Sequence, residues 1–280
     1  MDAQTEKNLA EIACKVRMGI IEGTFQAKSG HPGGSLSIAE IMTYLYFKEM
    51  NIDPADPVKP DRDRFVLSKG HTAPAMYAAM ALRGYFPVEE LKTLRKVGSR
   101  LQGHPSMRYL PGIDVSSGSL GQGISCACGI ALGGKLKGAD FRVYTMLGDG
   151  EIEEGQVWEA AMYAAAKKLD NLVAFVDNND LQIDGTLEEV NSPYPIPEKF
   201  AAFGWNVICI DGHSFTEIEN ALQQARACKG KPTAIIAKTI KGKGVSFMEN
   251  AVNWHGAAPN AEQYEVAMNE LKAALAEMEG

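Results

Sequence analysis

The chain is poor in the features that would fix its class at a glance. It has five cysteines in 280 residues. That number is odd, and Cys14, Cys126, Cys128, Cys209 and Cys228 form neither a CxxC pair nor a zinc-ligand spacing. A disulfide framework is therefore not expected, and a reducing cytoplasm is the expected location. Basic residues are not in excess. A net charge of −7 gives no electrostatic footprint for nucleic acid or an anionic membrane surface. No stretch approaches the ~18 apolar residues of a membrane helix, and the opening stretch Met1 to Arg17 lacks a continuous signal-peptide core. There is no internal repeat, low-complexity tract or Gly/Ser linker. Histidine is scarce too, with five in all, at positions 31, 71, 104, 213 and 255.

What is present is apolar residue, 45% of the total. That suffices for one large domain with its own core, expected to span residues 1–280. Leu9, Ile12, Ala13, Val16, Ile20 and Ile21 share one side of a helix predicted from Glu6 to Ala27. Ser37, with Glu40 three residues on, predicts a capping box for a helix running to about Lys48. The Pro- and Asp-rich stretch from Asn51 to Arg64 predicts loop. Short apolar runs predict strands at Phe65 to Leu67, Arg142 to Leu147, Leu172 to Val176, Trp205 to Ile210 and Thr233 to Lys238. Helices are predicted from Ala73 to Arg83, Glu154 to Lys168, Phe215 to Cys228 and Ala261 to Met278. Strands alternating with helices imply an α/β fold, a three-layer αβα sandwich around a mostly parallel sheet. Ligands of such sheets sit at the carboxyl ends of the strands. The stretch from Val97 to Gly123, dense in Gly, Ser, Pro and His, predicts a long loop of the kind that carries function.

Two strand ends bear polar groups suited to chemistry. One is Gly148-Asp149-Gly150, the other Asp177-Asn178-Asn179-Asp180. A single crossover helix separates the two strands, which places Asp149 and Asn179 on one rim. A carboxylate and an amide oxygen are hard ligands for Mg²⁺ or Ca²⁺. Two side chains are too few for a protein-only cage, so a phosphorylated cofactor is expected to share the ion. Gly148 and Gly150 let the backbone approach a phosphate, and the next helix offers free N–H groups. Either motif alone is ordinary turn chemistry. Their combination across one helix and one strand is far more specific.

That combination resembles the thiamine-diphosphate motif. Within that superfamily the chain resembles transketolase. Ser29-Gly-His-Pro-Gly-Gly, Leu67-Ser-Lys-Gly-His, Gly103-His-Pro, Gly118-Ser-Leu-Gly-Gln-Gly, Gly148-Asp-Gly-Glu-Ile-Glu-Glu-Gly, Ile183-Asp-Gly and Trp254-His-Gly follow in the family's order. The resemblance runs from about Ala10 to His255. It implies that Asp149, Asn179 and the main-chain carbonyl of Leu181 ligate the divalent metal, Mg²⁺ or Ca²⁺. It places Gly148, Gly150 and Glu151 at the cofactor's diphosphate. Gly118, Ser119 and Leu120 would pass along the cofactor, with Leu120 near the thiazolium ring. His71 and His255 would bind the diphosphate or line the channel beside it. His31, His104 and His255 would face the donor sugar's hydroxyls and move protons, which suits a side chain titrating near neutrality. Glu154 would reach a partner chain near the cofactor. His213 is expected to be structural or peripheral. Two departures stand out. Ser119 occupies a position where the family's single-chain members usually carry Pro. Lys241-Gly-Lys-Gly is more basic than usual, and a solvated turn is expected there rather than a phosphate contact.

The family's second, pyrimidine-binding domain has no counterpart in the chain. Nor do its cofactor-activating glutamate and sugar-phosphate arginines. The resemblance therefore implies that the partner is a C-terminal transketolase subunit, with two copies of each chain in a heterotetramer. The implied activity moves a two-carbon ketol unit from a ketose phosphate, such as xylulose 5-phosphate, to an aldose phosphate, such as ribose 5-phosphate. Other readings are a specialised transketolase for an unusual sugar phosphate, a deoxyxylulose phosphate synthase and a 2-oxoacid dehydrogenase component. His31 and His104 argue against the last. A non-catalytic subunit that has kept the fold is a further reading, against which the Asp149/Asn179 pair argues.

Overall fold

In the computed structural model, which describes residues 1–279, five strands form one sheet. They are β1 (Arg64–Leu67), β2 (Val143–Gly148), β3 (Leu172–Asn178), β4 (Asn206–Asp211) and β5 (Thr233–Lys238). The spatial order is β1-β2-β3-β5-β4, and every neighbouring pair is parallel. All five carboxyl ends therefore share one edge. The fully parallel arrangement requires both faces to be covered, and the strand residues divide accordingly. Tyr144, Met146, Val173, Phe175 and Ile235 face one apolar core, whereas Val143, Leu147, Ala174, Val176 and Ile236 face the other.

The first core is capped by α1 (Ala3–Ala27), α2 (Pro32–Leu36), α3 (Ala39–Tyr44), α4 (Ala73–Arg83), α9 (Phe215–Ala227) and α10 (Ala261–Glu279). The second is capped by α5 (Gln122–Lys137), α6 (Gly155–Ala166) and α8 (Ile196–Ala202). A one-turn helix, α7 (Leu187–Val190), follows β3. The expected three-layer αβα sandwich is the fold observed. α1 starts where Asp2 accepts the Thr5 N–H at 2.8 Å, and it ends at Lys28 in a left-handed conformation. Its Val16, Ile20 and Ile21 are fully buried, each contributing about 1.5–3 kcal/mol by leaving water. No helix among the described residues is long and apolar enough to cross a membrane.

One local prediction fails. Ser37 and Glu40 form no capping box. The chain already turns helical at Pro32, and the Ser37 hydroxyl instead donates to the Gly34 carbonyl and to Asp177. Glu40 is buried against Arg17, which holds both its oxygens at 2.7 Å, and against His213 Nδ1 at 3.0 Å. Tertiary partners override the local cap because both side chains are buried, and a buried charge must be paired. The same contacts make His213 structural, since its Nε2 also accepts the Ile240 N–H at 2.9 Å.

Candidate active site

A cavity of about 110 Å³, with charged and imidazole side chains in its wall, opens at the carboxyl ends of β2 and β3. Its wall carries Leu120, Gly148, Asp149, Gly150, Glu151, Asn179, Leu181, His71 and His255, all singled out from sequence. His31, His104, Gly118, Ser119 and Glu154 lie outside the cavity wall. His31 nevertheless meets His71 and His255 edge-on, with ring centroids 5.1 and 5.6 Å apart. His104 is exposed and packs against Gly118, where an added Cβ would sit 3.1 Å from the imidazole Cγ. Ser119 is also exposed. Glu154 is exposed at the start of α6, beside Gly121. Gly121 has a φ of 79°, and a Cβ there would come 2.9 Å from that of Glu154. Only glycine accommodates both constraints.

Glu151 lines the cavity and is also held by the protein around it. Its buried carboxylate accepts from Ser68 Oγ at 2.6 Å, from Gly121 N at 2.9 Å and from Gly148 N at 3.0 Å. It ties the ends of β1 and β2 to the entry of α5. These bonds fix the loops around the cavity.

The expectation of a solvated turn at Lys241 is overturned. Lys241 is 2% exposed and lines the cavity. Its ammonium donates to the Leu181 carbonyl and to His255 Nδ1, both at 2.9 Å. The hydrogen bond Gly242 N to Gly33 O, 2.9 Å, folds this loop inward over α2. Burial, joined by the charge of Lys69, lowers the Lys241 pKa to about 8 against the pull of Asp149 and Asp177. The sequence does carry a signal, because Lys241 follows β5 at the same sheet edge that Asp149 and Asn179 occupy. Lys69 and Asp177, also in the wall, fall inside the two motifs Leu67-Ser-Lys-Gly-His and Asp177-Asn-Asn-Asp, yet sequence reasoning assigns them no role.

The three clustered imidazoles are neutral near pH 7. Burial drives His71 well below its ordinary pKa, with help from Lys69 and its two neighbouring histidines. Burial takes His31 to about 4, with Arg95 and His104 adding to it. Burial and then Lys241 take His255 to about 3. With an ammonium donating to Nδ1, His255 carries its proton on Nε2. A neutral imidazole both donates and accepts, which suits it to a polyhydroxylated ligand.

The metal question turns on the donor set. Among the described residues no group of three His, Cys, Asp or Glu side chains is placed to hold an ion. The expected set is of another kind, with one carboxylate, one amide and one carbonyl. These are three hard oxygens, so a divalent ion there would take further oxygens from a phosphate. Asp149 fits this use. Its carboxylate is 2% exposed, and burial, with Asp177 close by, lifts its pKa to about 6. A nearby cation would relieve that penalty. The Leu181 carbonyl already accepts from Lys241 but retains a second lone pair. The residues therefore fit a metal bound jointly with a diphosphate.

Fold and pocket together define an α/β protein with a site of charged and imidazole side chains at the ends of parallel strands. Residues 8–275 match the family described as transketolase, thiamine diphosphate binding domain. The chain belongs to the transketolase family. It is 51% identical over 243 residues to the 6-deoxy-6-sulfo-D-fructose transketolase subunit SqwG of Clostridium sp. (strain MSTE9), covering 87% of this chain and 88% of that one. It is 41% identical over 279 residues to an apulose-4-phosphate transketolase subunit of Phocaeicola vulgatus, covering 100% and 96%. It superimposes on the solved transketolase of Campylobacter jejuni with a TM-score of 0.89 at 31% identity, covering 99% of this chain and 46% of that one. The chain thus spans less than half the length of that transketolase.

Proposed function

We propose that the chain is the diphosphate-binding subunit of a two-chain transketolase. With a partner it moves a two-carbon ketol unit from a ketose phosphate, such as xylulose 5-phosphate, to an aldose phosphate, such as ribose 5-phosphate. The observation that carries this reading is the convergence of Asp149, Asn179, Leu181, His71, His255 and Lys241 on one cavity at the sheet edge. Residues 1–280 act as a single diphosphate-binding domain, and a C-terminal subunit supplies the pyrimidine-binding domain. Two copies of each form a heterotetramer in the cytoplasm.

Asp149, Asn179 and the Leu181 carbonyl hold Mg²⁺ or Ca²⁺. Lys241 and His71 present positive charge and a hydrogen bond to the diphosphate, and Gly148 and Gly150 leave room for it. Thiamine diphosphate, when bound, supplies a carbanion source and an electron sink. Gly118, Ser119 and Leu120 guide its length, with Leu120 against the thiazolium. The neutral imidazoles of His31 and His255, together with His104, orient sugar hydroxyls and carry protons to and from them. Glu154 reaches across to the partner.

A second reading concerns the sugar alone. Two relatives matched over most of their length are named for a sulfo-sugar and for apulose 4-phosphate, which favours a specialised donor. Two-carbon transfer is assayed with xylulose 5-phosphate and ribose 5-phosphate, and in parallel with 6-deoxy-6-sulfofructose and apulose 4-phosphate as donors. The chain is tested alone and mixed with a candidate partner. Activity with any donor in the mixture alone supports the proposal. Activity of the isolated chain, or cofactor uptake without transfer from any donor in the active-site-complete mixture, refutes it.

A further inference from the structure

The most heavily bonded side chain of the region belongs to the cavity wall itself. Asp177, near the end of β3, is fully buried. Its Oδ2 accepts from Lys69 Nζ at 2.5 Å, from Ser37 Oγ at 2.7 Å and from Asn179 Nδ2 at 2.9 Å. Its Oδ1 accepts from Thr239 Oγ1. Lys69, itself 2% exposed, also donates to the Gly34 carbonyl at 2.9 Å.

The contact with Asn179 has a directional consequence. The two ends of an amide have nearly the same shape and opposite chemistry, one donating and one accepting. An ionised carboxylate can only accept. Asp177 therefore takes the NH₂ end and turns Oδ1 the other way, where the Leu181 N–H reaches it at 3.2 Å. A flipped amide would set oxygen against carboxylate and NH₂ against N–H, so both contacts would fail at once. We propose that Asp177, anchored by Lys69, is a positioning residue that keeps the Asn179 oxygen toward the divalent ion. This rests on the reading of Asn179 as a metal ligand.

The test uses the full-length chain, saturating thiamine diphosphate and Mn²⁺ as probe, with free Mn²⁺ followed by electron paramagnetic resonance. Asp177→Ala removes the acceptor that selects the NH₂ end, and Mn²⁺ affinity is expected to fall about 10- to 100-fold, as for other partners that orient metal ligands. Asp177→Asn keeps an oxygen where Lys69 and Ser37 donate, so that oxygen still accepts from Asn179 and most of the affinity should return. Thr239→Val removes a partner of Asp177 but leaves Asn179 held, and affinity should stay within about twofold. Normal affinity in Asp177→Ala, or a folded Asp177→Asn that binds no better than Asp177→Ala, overturns the proposal.

Should these variants not fold, the unmodified chain decides. The Asn179 side-chain amide protons, assigned by ¹⁵N NMR, are expected to exchange slowly in the cofactor-free protein. Exchange as fast as that of an exposed amide overturns the proposal. If the unmodified chain takes up no Mn²⁺ with cofactor, the metal reading fails instead, and the exchange measurement still judges the orientation.

Discussion

His255 accepts a hydrogen bond through Nδ1 from the buried ammonium of Lys241, at 2.9 Å. The same ammonium reaches the Leu181 carbonyl. One cation therefore fixes the tautomer of an active-site imidazole and sits beside a proposed metal ligand. Charge-assisted hydrogen bonds contribute about 1.5–3 kcal/mol. Lys241→Met keeps the length of the stem and removes the charge. It is expected to weaken thiamine diphosphate binding by about 10- to 100-fold, measured by calorimetry, with far-UV circular dichroism unchanged.

Asp149 places a buried carboxylate in the cavity wall, held by hydrogen bonds and, among the described residues, in no ion pair. Gly150 N, Asp180 N and Asn178 Nδ2 all point at it. Asp149→Asn retains the size of the side chain and removes the buried charge. Metal-dependent cofactor binding should be lost, while the melting temperature of the cofactor-free chain stays level or rises. A fall of several degrees would show that the carboxylate is structural.

Glu40, outside the cavity wall, gives the chain an acid-sensitive anchor. Burial alone would raise its pKa, but the Arg17 guanidinium and His213 overrule burial and hold it at about 2, against the ordinary 4.5. A carboxylate with a depressed folded pKa adds stability above its unfolded value, and loses it as pH falls through the folded one. At one pKa unit per 1.36 kcal/mol the contribution at neutral pH is on the order of 3 kcal/mol. Urea unfolding of the native chain and of Glu40→Gln should therefore differ most above about pH 5 and converge toward pH 2.

Gly123 marks where α5 crosses the end of β1. A Cβ there would lie 2.5 Å from Ser68 Cα, and backbone cannot swing aside as a side-chain tip can. Gly123→Ala should destabilise the chain by about 1–3 kcal/mol, read as a shift in the urea midpoint. Since Ser68 also holds Glu151, cofactor affinity should fall with it.

The sheet is legible in the sequence because its strands are short apolar runs separated by turn residues, and the site because Asp149 and Asn179 close two adjacent runs. Strand ends differ by a residue or two, as at Asn206–Asp211, since pairing continues into polar residues that hydropathy does not mark. α7 and α8 are too short and too weakly patterned to register. Lys241 escapes sequence reasoning because a Lys-Gly-Lys-Gly stretch looks solvated until the Gly33 contact folds it inward. Ser37 escapes it because its partner, Asp177, is 140 residues away, beyond any local pattern.

The strand order carries a consequence for biosynthesis. β4 has one neighbour in the sheet, β5, which lies after it in the chain. As the chain emerges from the ribosome, β4 must wait without a pairing partner until residues 233–238 have been made. Non-local pairings of this kind are slow to form and leave strand edges open meanwhile. Lys241 and His255 arrive later still, so a nascent chain holding β1, β2 and β3 has the Asp149/Asn179 rim and Lys69 but lacks the Lys241 and His255 part of the wall. The pocket is among the last parts of the molecule to be completed.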